Sequence, residues 1–152
     1  MKISGSHTLP TSRERAYSLL QDPRALAECM PGCEELVQAG EDEYEMKMKM
    51  VISSIQGLFT GKVRVADKNS PESFRLIVEG NGKIGFLKGD GLLTLAAVEN
   101  GTEVRYDGDV QVGGVMAGVG QRLLDTTAKY VIRKFFEKMA ATAQAGAAAG
   151  AA

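Results

Sequence analysis

The sequence predicts an α+β domain: a seven-stranded curved antiparallel sheet wrapped around a long C-terminal helix, with two short helices after the first strand. Three observations carry this. From Cys33 to Val112 apolar and polar residues alternate in successive short runs, with turn signals between them. From Val115 to about Ala143 the apolar residues instead recur at three- and four-residue steps. One further alternating run stands alone at the start, separated from the others by two helical segments. Period two marks strands with one wet face, and the three-to-four step marks an amphipathic helix. Hairpins in succession without intervening helices imply a meander, not a doubly wound sheet.

The first run, MKISGSHTL, sets Ile3, Gly5, His7 and Leu9 against Lys2, Ser4, Ser6 and Thr8, and ends at Pro10. Thr11 or Ser12 can cap the helix that follows; Glu14, three residues after Thr11, has the spacing of a capping box. Ala16, Leu19 and Leu20 supply that helix's apolar face. DPRALAECMPG reads as a second short helix, with Asp22 as cap and Pro23 in the first turn. Pro31 and Gly32 stop it. CEELVQAG is the next strand, and YEMKMKMVI follows with Met46, Met48 and Met50 on one face and Lys47 and Lys49 on the other. Ile55-Gln56-Gly57 reads as a turn. LFTGKVRVA then aligns Phe59, Gly61, Val63 and Val65, and FRLIVEG aligns Phe74, Leu76, Val78 and Gly80. GNGKIGFLKGDG reads as a glycine-rich connection. LLTLAAV faces Leu93, Leu95 and Ala97 inward, and ENG is a hairpin turn. TEVRYDGDVQV aligns Val104, Tyr106, Gly108, Val110 and Val112. In the long helix, Val119, Leu123, Leu124, Ala128, Val131, Phe135 and Met139 form the inner stripe.

Residues 1–142 are expected to form one ligand-binding domain and residues 143–152, AQAGAAAGAA, a flexible Ala/Gly-rich tail with nothing to pack. At 152 residues a single domain can bury about 68–70% of its unfolded surface. The formal net charge of −1 and the absence of Trp argue against nucleic acid as a partner. Two cysteines make no disulfide framework. No secretory h-region opens the chain and no run reaches the ~18–20 apolar residues of a membrane span. The expected location is the cytoplasm.

The Met strand is the unusual element. Methionine is flexible and has lower strand propensity than Val or Ile, so it specifies a core poorly and adapts well. Inward glycines at 61, 80, 91 and 108 remove filling volume and let the sheet coil. Together they make a soft concave wall under the helix, suited to an apolar guest. An ordinary core that happens to use Met would read the same way.

Several strings carry a resemblance: MKISGSHTLP, CMPGCEEL, GLFTGKVRV, PESFRLIVEG, GFLKGDG and YDGDVQVGG, in that order. The element order resembles the helix-grip fold of the START and polyketide-cyclase superfamily. The strings themselves are similar to the G subunit of carbon monoxide dehydrogenase over about residues 1–140. The resemblance implies a non-catalytic accessory protein that requires no cofactor and associates with a molybdenum hydroxylase such as carbon monoxide dehydrogenase. It also implies recruitment of that enzyme to the cytoplasmic membrane, a peripheral place at the membrane's inner face, and a cavity suited to a quinone or similar lipid. An assembly or maturation factor working by protein contact, and a cyclase- or hydrolase-type enzyme, are the rival readings.

The expected ligand wall comprises Met46, Met48, Met50, Phe59, Val63, Leu76, Val78, Leu93, Leu95, Tyr106, Val110, Val119, Leu123, Val131 and Phe135, with His7 as a polar contact. His7, Tyr106 or Tyr44 could hydrogen-bond a ligand carbonyl. As a general base His7 would need a nucleophile and an orienting acid, and no paired motif marks them. Ile84, Phe86 and Leu87, between Lys83 and Lys88, read as a portal: apolar tips with flanking cations suit an anionic membrane surface. Equally, Phe86 could fold back over the cavity mouth. The basic residues of the last helix are either a membrane-docking face or simply a solvated one. Cys29 and Cys33 could form a reversible disulfide, but a closed zinc site needs four ligands, and buried small hydrophobes around a stopping turn are the favoured reading. Gly80, Gly82 and Gly85 have G-x-G-x-x-G spacing, yet a strand follows where a dinucleotide site needs a helix N-terminus.

Overall fold

The computed structural model describes residues 1–52 and 54–151, with backbone alone for 146–151. Seven strands form one antiparallel sheet: β1 (Lys2–Leu9), β2 (Cys33–Gly40), β3 (Glu43–Ile52), β4 (Ile55–Asn69), β5 (Ser73–Gly82), β6 (Gly85–Val98) and β7 (Gly101–Gly113). The spatial order is β1-β7-β6-β5-β4-β3-β2. The meander therefore runs from β2 to β7, and β1 closes on its far end, pairing Lys2 with Asp109 through Leu9 with Thr102. The helices α1 (Arg13–Leu19) and α2 (Pro23–Cys29) bridge from β1 to the opposite edge strand β2, and α3 (Gln121–Ala151) follows the sheet.

Local chemistry explains the breaks. The Ser12 side chain accepts a hydrogen bond from the Arg15 amide and caps α1; Asp22 does the same for α2 through the Arg24 and Ala25 amides. Each satisfies donors that the first helical turn leaves open. Gly32 has φ +82° and lies against the Lys49 backbone, so the chain turns into β2 where a side chain would collide.

Four sequence expectations are corrected. Ile55, Gln56 and Gly57 belong to β4, because Ile52 pairs directly with Ile55. Residue 53 lies outside the described set. GNGKIGFLKGDG is a hairpin, with β5 running to Gly82 and β6 starting at Gly85; the glycines there are compatible with strand, and only Lys83 and Ile84 turn. The last helix does not start at Val115. Val115–Val119 forms a short 3-10 helix, and α3 begins at Gln121, because Gly114 and Gly120 both take positive φ and break the run on either side. Helical backbone continues through the Ala/Gly stretch to Ala151. Of the expected tail, residue 152 and the side chains of 146–151 lie outside the described set. Ala97, expected to face inward, is exposed near the end of β6.

The concave side holds two apolar clusters. The larger contains Leu9, Tyr17, Leu20, Tyr44, Met46, Val63, Val65, Phe74, Leu93, Leu95, Val104, Phe136 and Met139. The smaller centres on Ile52, Phe59 and Met116. The far part of α3 is fastened firmly: Met139 and Ala143 are fully buried, and the Arg15 guanidinium donates to the Ala143 carbonyl at 2.6 Å. The near part of α3 is not packed so closely, and there a cavity opens.

Candidate ligand-binding cavity

A cavity of about 170 Å³ lies between the first three turns of α3 and the concave sheet. Met50 and Ile52 from β3, Leu87 from β6, Val110 and Val112 from β7, and Met1 form its sheet side. Leu124, Thr127, Ala128, Val131 and Ile132 form its helix side, and Met116 closes one end. Thr127 presents the one side-chain hydroxyl, and it is already donated to the Leu123 carbonyl at 2.8 Å. The wall is otherwise apolar. Three thioethers, Met1, Met50 and Met116, give it the softness that Met provides.

The helix register sets the cavity's limit. Ile132 lines it, and Phe136, one turn on, is buried. Phe136 stacks on His7 with 4.4 Å between ring centroids, and Tyr106 lies parallel to both. This aromatic stack belongs to the packed core. The Tyr106 ring fits because residue 5 is glycine: a Cβ there would meet the Tyr106 hydroxyl. Burial pushes the His7 pKa below its ordinary value, partly countered by Glu137. Burial also raises the Tyr106 phenol, with Lys129 opposing.

The structure separates the residues expected to form one wall. Met50, Val110 and Val131 line the cavity, as does Leu87, expected at the portal. Met46, Val63, Leu93 and Leu95 are buried in the main core, with Leu76, Val78, Tyr106 and Phe135 packed against it. Met48 touches both clusters. Phe59 is buried in the smaller cluster, with Ile84, Val119 and Leu123 against it. Tyr44 donates its hydroxyl to the Gln21 carbonyl at 2.8 Å, tying α1 to the sheet. Cys29 is buried, 3.7 Å from the Thr142 hydroxyl, while Cys33 contacts the Glu35 carbonyl. Burial raises both thiols above their ordinary value, which favours the protonated form over the nucleophilic thiolate.

Sequence reasoning did not assign Ile52, Val112, Leu124, Ala128 or Ile132 to the ligand wall, although Val112, Leu124 and Ala128 fall on faces it drew inward. Met116 had no signal, because its buried position depends on the 3-10 segment. That segment is held by the Met116 amide, which donates to the Ile84 carbonyl at 2.7 Å.

The end of the sheet above the cavity has a distinct surface. The tips of β3–β4 and β5–β6 meet the 3-10 segment there, with Ile84 packed over Gly57. Val51, Leu58, Phe86 and Val115 are 59, 62, 41 and 61% exposed. The segments that build this end, residues 48–60, 80–89 and 110–124, contain Lys49, Lys83, Lys88 and Arg122 and no Asp or Glu. In a chain with 19 acidic residues, the carboxylates lie elsewhere. Among the described residues, no helix is long and apolar enough to cross a membrane, and no group of acidic, His and Cys side chains is placed to hold a metal.

Comparison with known proteins locates this architecture. The model of the carbon monoxide dehydrogenase G-subunit family (CoxG) matches residues 5–144. No curated protein matches. Among solved structures, a conserved protein from Geobacillus kaustophilus is 32% identical, with a TM-score of 0.90 and 95% of each chain covered. A START superfamily protein from Mycobacterium smegmatis is 12% identical, with a TM-score of 0.69 over 94% of this chain and 97% of that one. The di-domain ARO/CYC BexL is 10% identical, with a TM-score of 0.64 over 94% of this chain and 50% of its own. The last two likenesses show the fold alone, which is the START-like helix-grip fold.

Proposed function

Because the chain belongs to the CoxG family of carbon monoxide dehydrogenase subunits, we propose that it is a non-catalytic accessory protein that carries an apolar ligand, a quinone or similar lipid, between the sheet and α3. In the same reading it helps bring a molybdenum hydroxylase of the carbon monoxide dehydrogenase type to the inner face of the cytoplasmic membrane. One observation carries the ligand part: an apolar cavity ringed by methionines where the helix stops packing tightly. Affinity there would come from area removed from water, at roughly 25 cal/mol per Å² before the costs of association.

The membrane part rests on the end above the cavity. Exposed Leu58, Val51, Phe86 and Val115 among four cations have the make-up of a surface that dips apolar side chains below anionic headgroups while Lys stays at headgroup level. Ile84, Phe86 and Leu87 then act as portal, with Leu87 reaching the cavity.

Recruitment is tested by floating anionic vesicles with the purified molybdenum hydroxylase, with and without this protein. The reading expects the hydroxylase in the vesicle fraction only when the protein is present. Equal flotation in both samples would remove the recruiting role.

A further inference from the structure

Acidic residues crowd one edge of the sheet. Between Ala25 and Met46 the chain carries Glu28, Glu34, Glu35, Glu41, Asp42, Glu43 and Glu45 and no Lys or Arg. That run comprises the end of α2, the strand β2 and the start of β3. Two of these carboxylates are paired, Glu35 with Lys47 at 3.6 Å and Asp42 with Lys68 at 3.0 Å. Glu28, Glu34, Glu41, Glu43 and Glu45 are exposed and make no ion pair among the described residues. From this acidic end β3 runs to the cationic tips, so charge is segregated along one strand.

β2 is also the last strand of the sheet, with β3 on one side and, among the described residues, no strand on the other. The pairing fixes which of its backbone groups are free. The Lys49 amide donates to the Gly32 carbonyl at 2.8 Å, so alternate residues of β3 from Lys49 back to Glu45 turn toward β2. Lys47 and Glu45 there pair with Glu35 and Val37. By alternation Leu36 and Gln38 turn their N–H and C=O groups outward. The Leu36 side chain packs on the core, while Glu35, Val37 and Gln38 are exposed. Sheet edges are commonly blunted by charge, Lys above all. Carboxylates blunt this one selectively, because like charges oppose strand pairing and opposite charges favour it. A second copy of β2 laid here would set acid against acid, and an anionic membrane or a nucleic acid would be repelled. A strand bearing Lys or Arg would meet acid on the face shared by Glu35, Val37 and Glu45.

We propose that β2 is a docking edge for an extended, Lys- or Arg-bearing segment of another protein. The segment adds as a further strand: its main chain pairs with Leu36 and Gln38, and its cations lie over Glu35, Glu43 and Glu45. In strand addition the main-chain ladder supplies affinity, and here the carboxylates supply selectivity and steer the encounter. The docking edge goes beyond the ligand-carrier reading and does not rest on it. It needs no occupant in the cavity, and it lies at the end of β3 opposite the exposed Leu58 and Phe86.

The test is an NMR titration of the full chain at low salt with three peptides. The first is acetyl-KTKVKT-amide and the second is acetyl-ETEVET-amide. The third is the lysine peptide N-methylated at every residue, which keeps its charge and cannot pair as a strand. The edge as proposed binds the lysine peptide at least about tenfold more tightly than either control. At saturation, hydrogen exchange at the Leu36 and Gln38 amides slows by about tenfold or more. Glu35→Gln with Glu45→Gln weakens binding by about tenfold. Gln38→Pro does the same, because it removes an outward N–H at an edge position, where proline is tolerated. Thermal melts unchanged from the parent chain establish that each variant is folded, and the peptide controls decide the question without any variant. Equal binding of the N-methylated peptide would reduce the contact to charge attraction and overturn strand addition. Equal binding of the glutamate peptide would overturn the cationic partner. Protection of Leu36 and Gln38 in the free chain that grows with protein concentration would show a second copy on the edge and overturn the proposed occupant. No binding of the lysine peptide would overturn the docking edge outright.

Discussion

His7 and Phe136 stack face to face, with ring planes 11° apart and centroids 4.4 Å apart, and the pair fastens β1 to α3 where the cavity ends. On one side of the stack α3 is clamped by Met139, Ala143 and the Arg15 hydrogen bond; on the other its residues face open space. The domain thus has a rigid end and an adaptable end on one helix. Phe136→Ala should cost about 3–5 kcal/mol, the usual range for a buried aromatic truncated to alanine. Urea unfolding measures it. A loss below about 1 kcal/mol would mean the stack does not anchor the helix.

The same pair gives the protein a pH dependence of definite sign. Burial lowers the His7 pKa in the folded state, so between that value and the unfolded value of about 6.5 the unfolded chain binds more protons. Stability therefore rises with pH through this window and falls as pH drops below about 6.5. His7→Phe keeps a ring for the stack and removes the proton. Chemical denaturation at pH 5.5 and 7.5 should show a smaller difference between the two pH values for His7→Phe than for the parent chain. An unchanged difference would place the titration elsewhere.

How much of this was legible in the sequence follows from what each residue depends on. The strands and their inward faces depend on period-two alternation within one segment, so Met46, Val63, Leu93 and Val104 could be read directly. The cap at Asp22 depends on near neighbours and was equally local, whereas for α1 the sequence offered Thr11, spaced as a capping box with Glu14, or Ser12, and the structure uses Ser12. What could not be read is how tightly facing elements approach. Met46 and Met50 lie on one face of one strand, yet Met46 is in the main core and Met50 lines a cavity. The difference comes from α3, which sits closer to one end of the sheet than the other. Phe136, adjacent to the Phe135 that periodicity selected, is the buried ring. The break that the 3-10 segment and Gly120 put before α3 is not visible as a change in hydrophobic period.

Gly114 is where the 3-10 segment locks onto the β5–β6 hairpin. It has φ +79°, and a Cβ there would lie 2.6 Å from Gly85 Cα. Gly114→Ala combines a strained backbone, about 1–3 kcal/mol, with that collision. It should release Met116 from the Ile84 carbonyl, and hydrogen exchange at the Met116 amide should accelerate more than tenfold. Retained protection would show that the segment is held by other contacts.

Met116 itself is 1% exposed and closes one end of the cavity. Met116→Ala should lower stability by about 2–5 kcal/mol and enlarge the apolar space. Binding of xenon or benzene to the variant, followed by NMR shifts at Ile52 and Leu87, reads the enlargement. A stability loss without any gas or benzene binding would mean that the site collapses on truncation.

The cationic end predicts a salt-sensitive membrane affinity. Near an anionic surface each Lys contributes about 1 kcal/mol. Lys83→Gln with Lys88→Gln should therefore weaken sedimentation with phosphatidylglycerol vesicles by roughly thirtyfold, and raised salt should weaken the parent chain in the same direction. Binding that is insensitive to both would assign the exposed Leu58 and Phe86 to another partner.

The most direct measurement is mass spectrometry of an organic extract of the purified protein after incubation with bacterial membranes, alongside the folded Ala128→Phe variant. A ligand held between the sheet and α3 should appear as a neutral isoprenoid quinone or comparable uncharged lipid near one equivalent per chain, absent from the variant. An empty extract from the parent chain, or the same lipid at the same level in both, would contradict a ligand in that place.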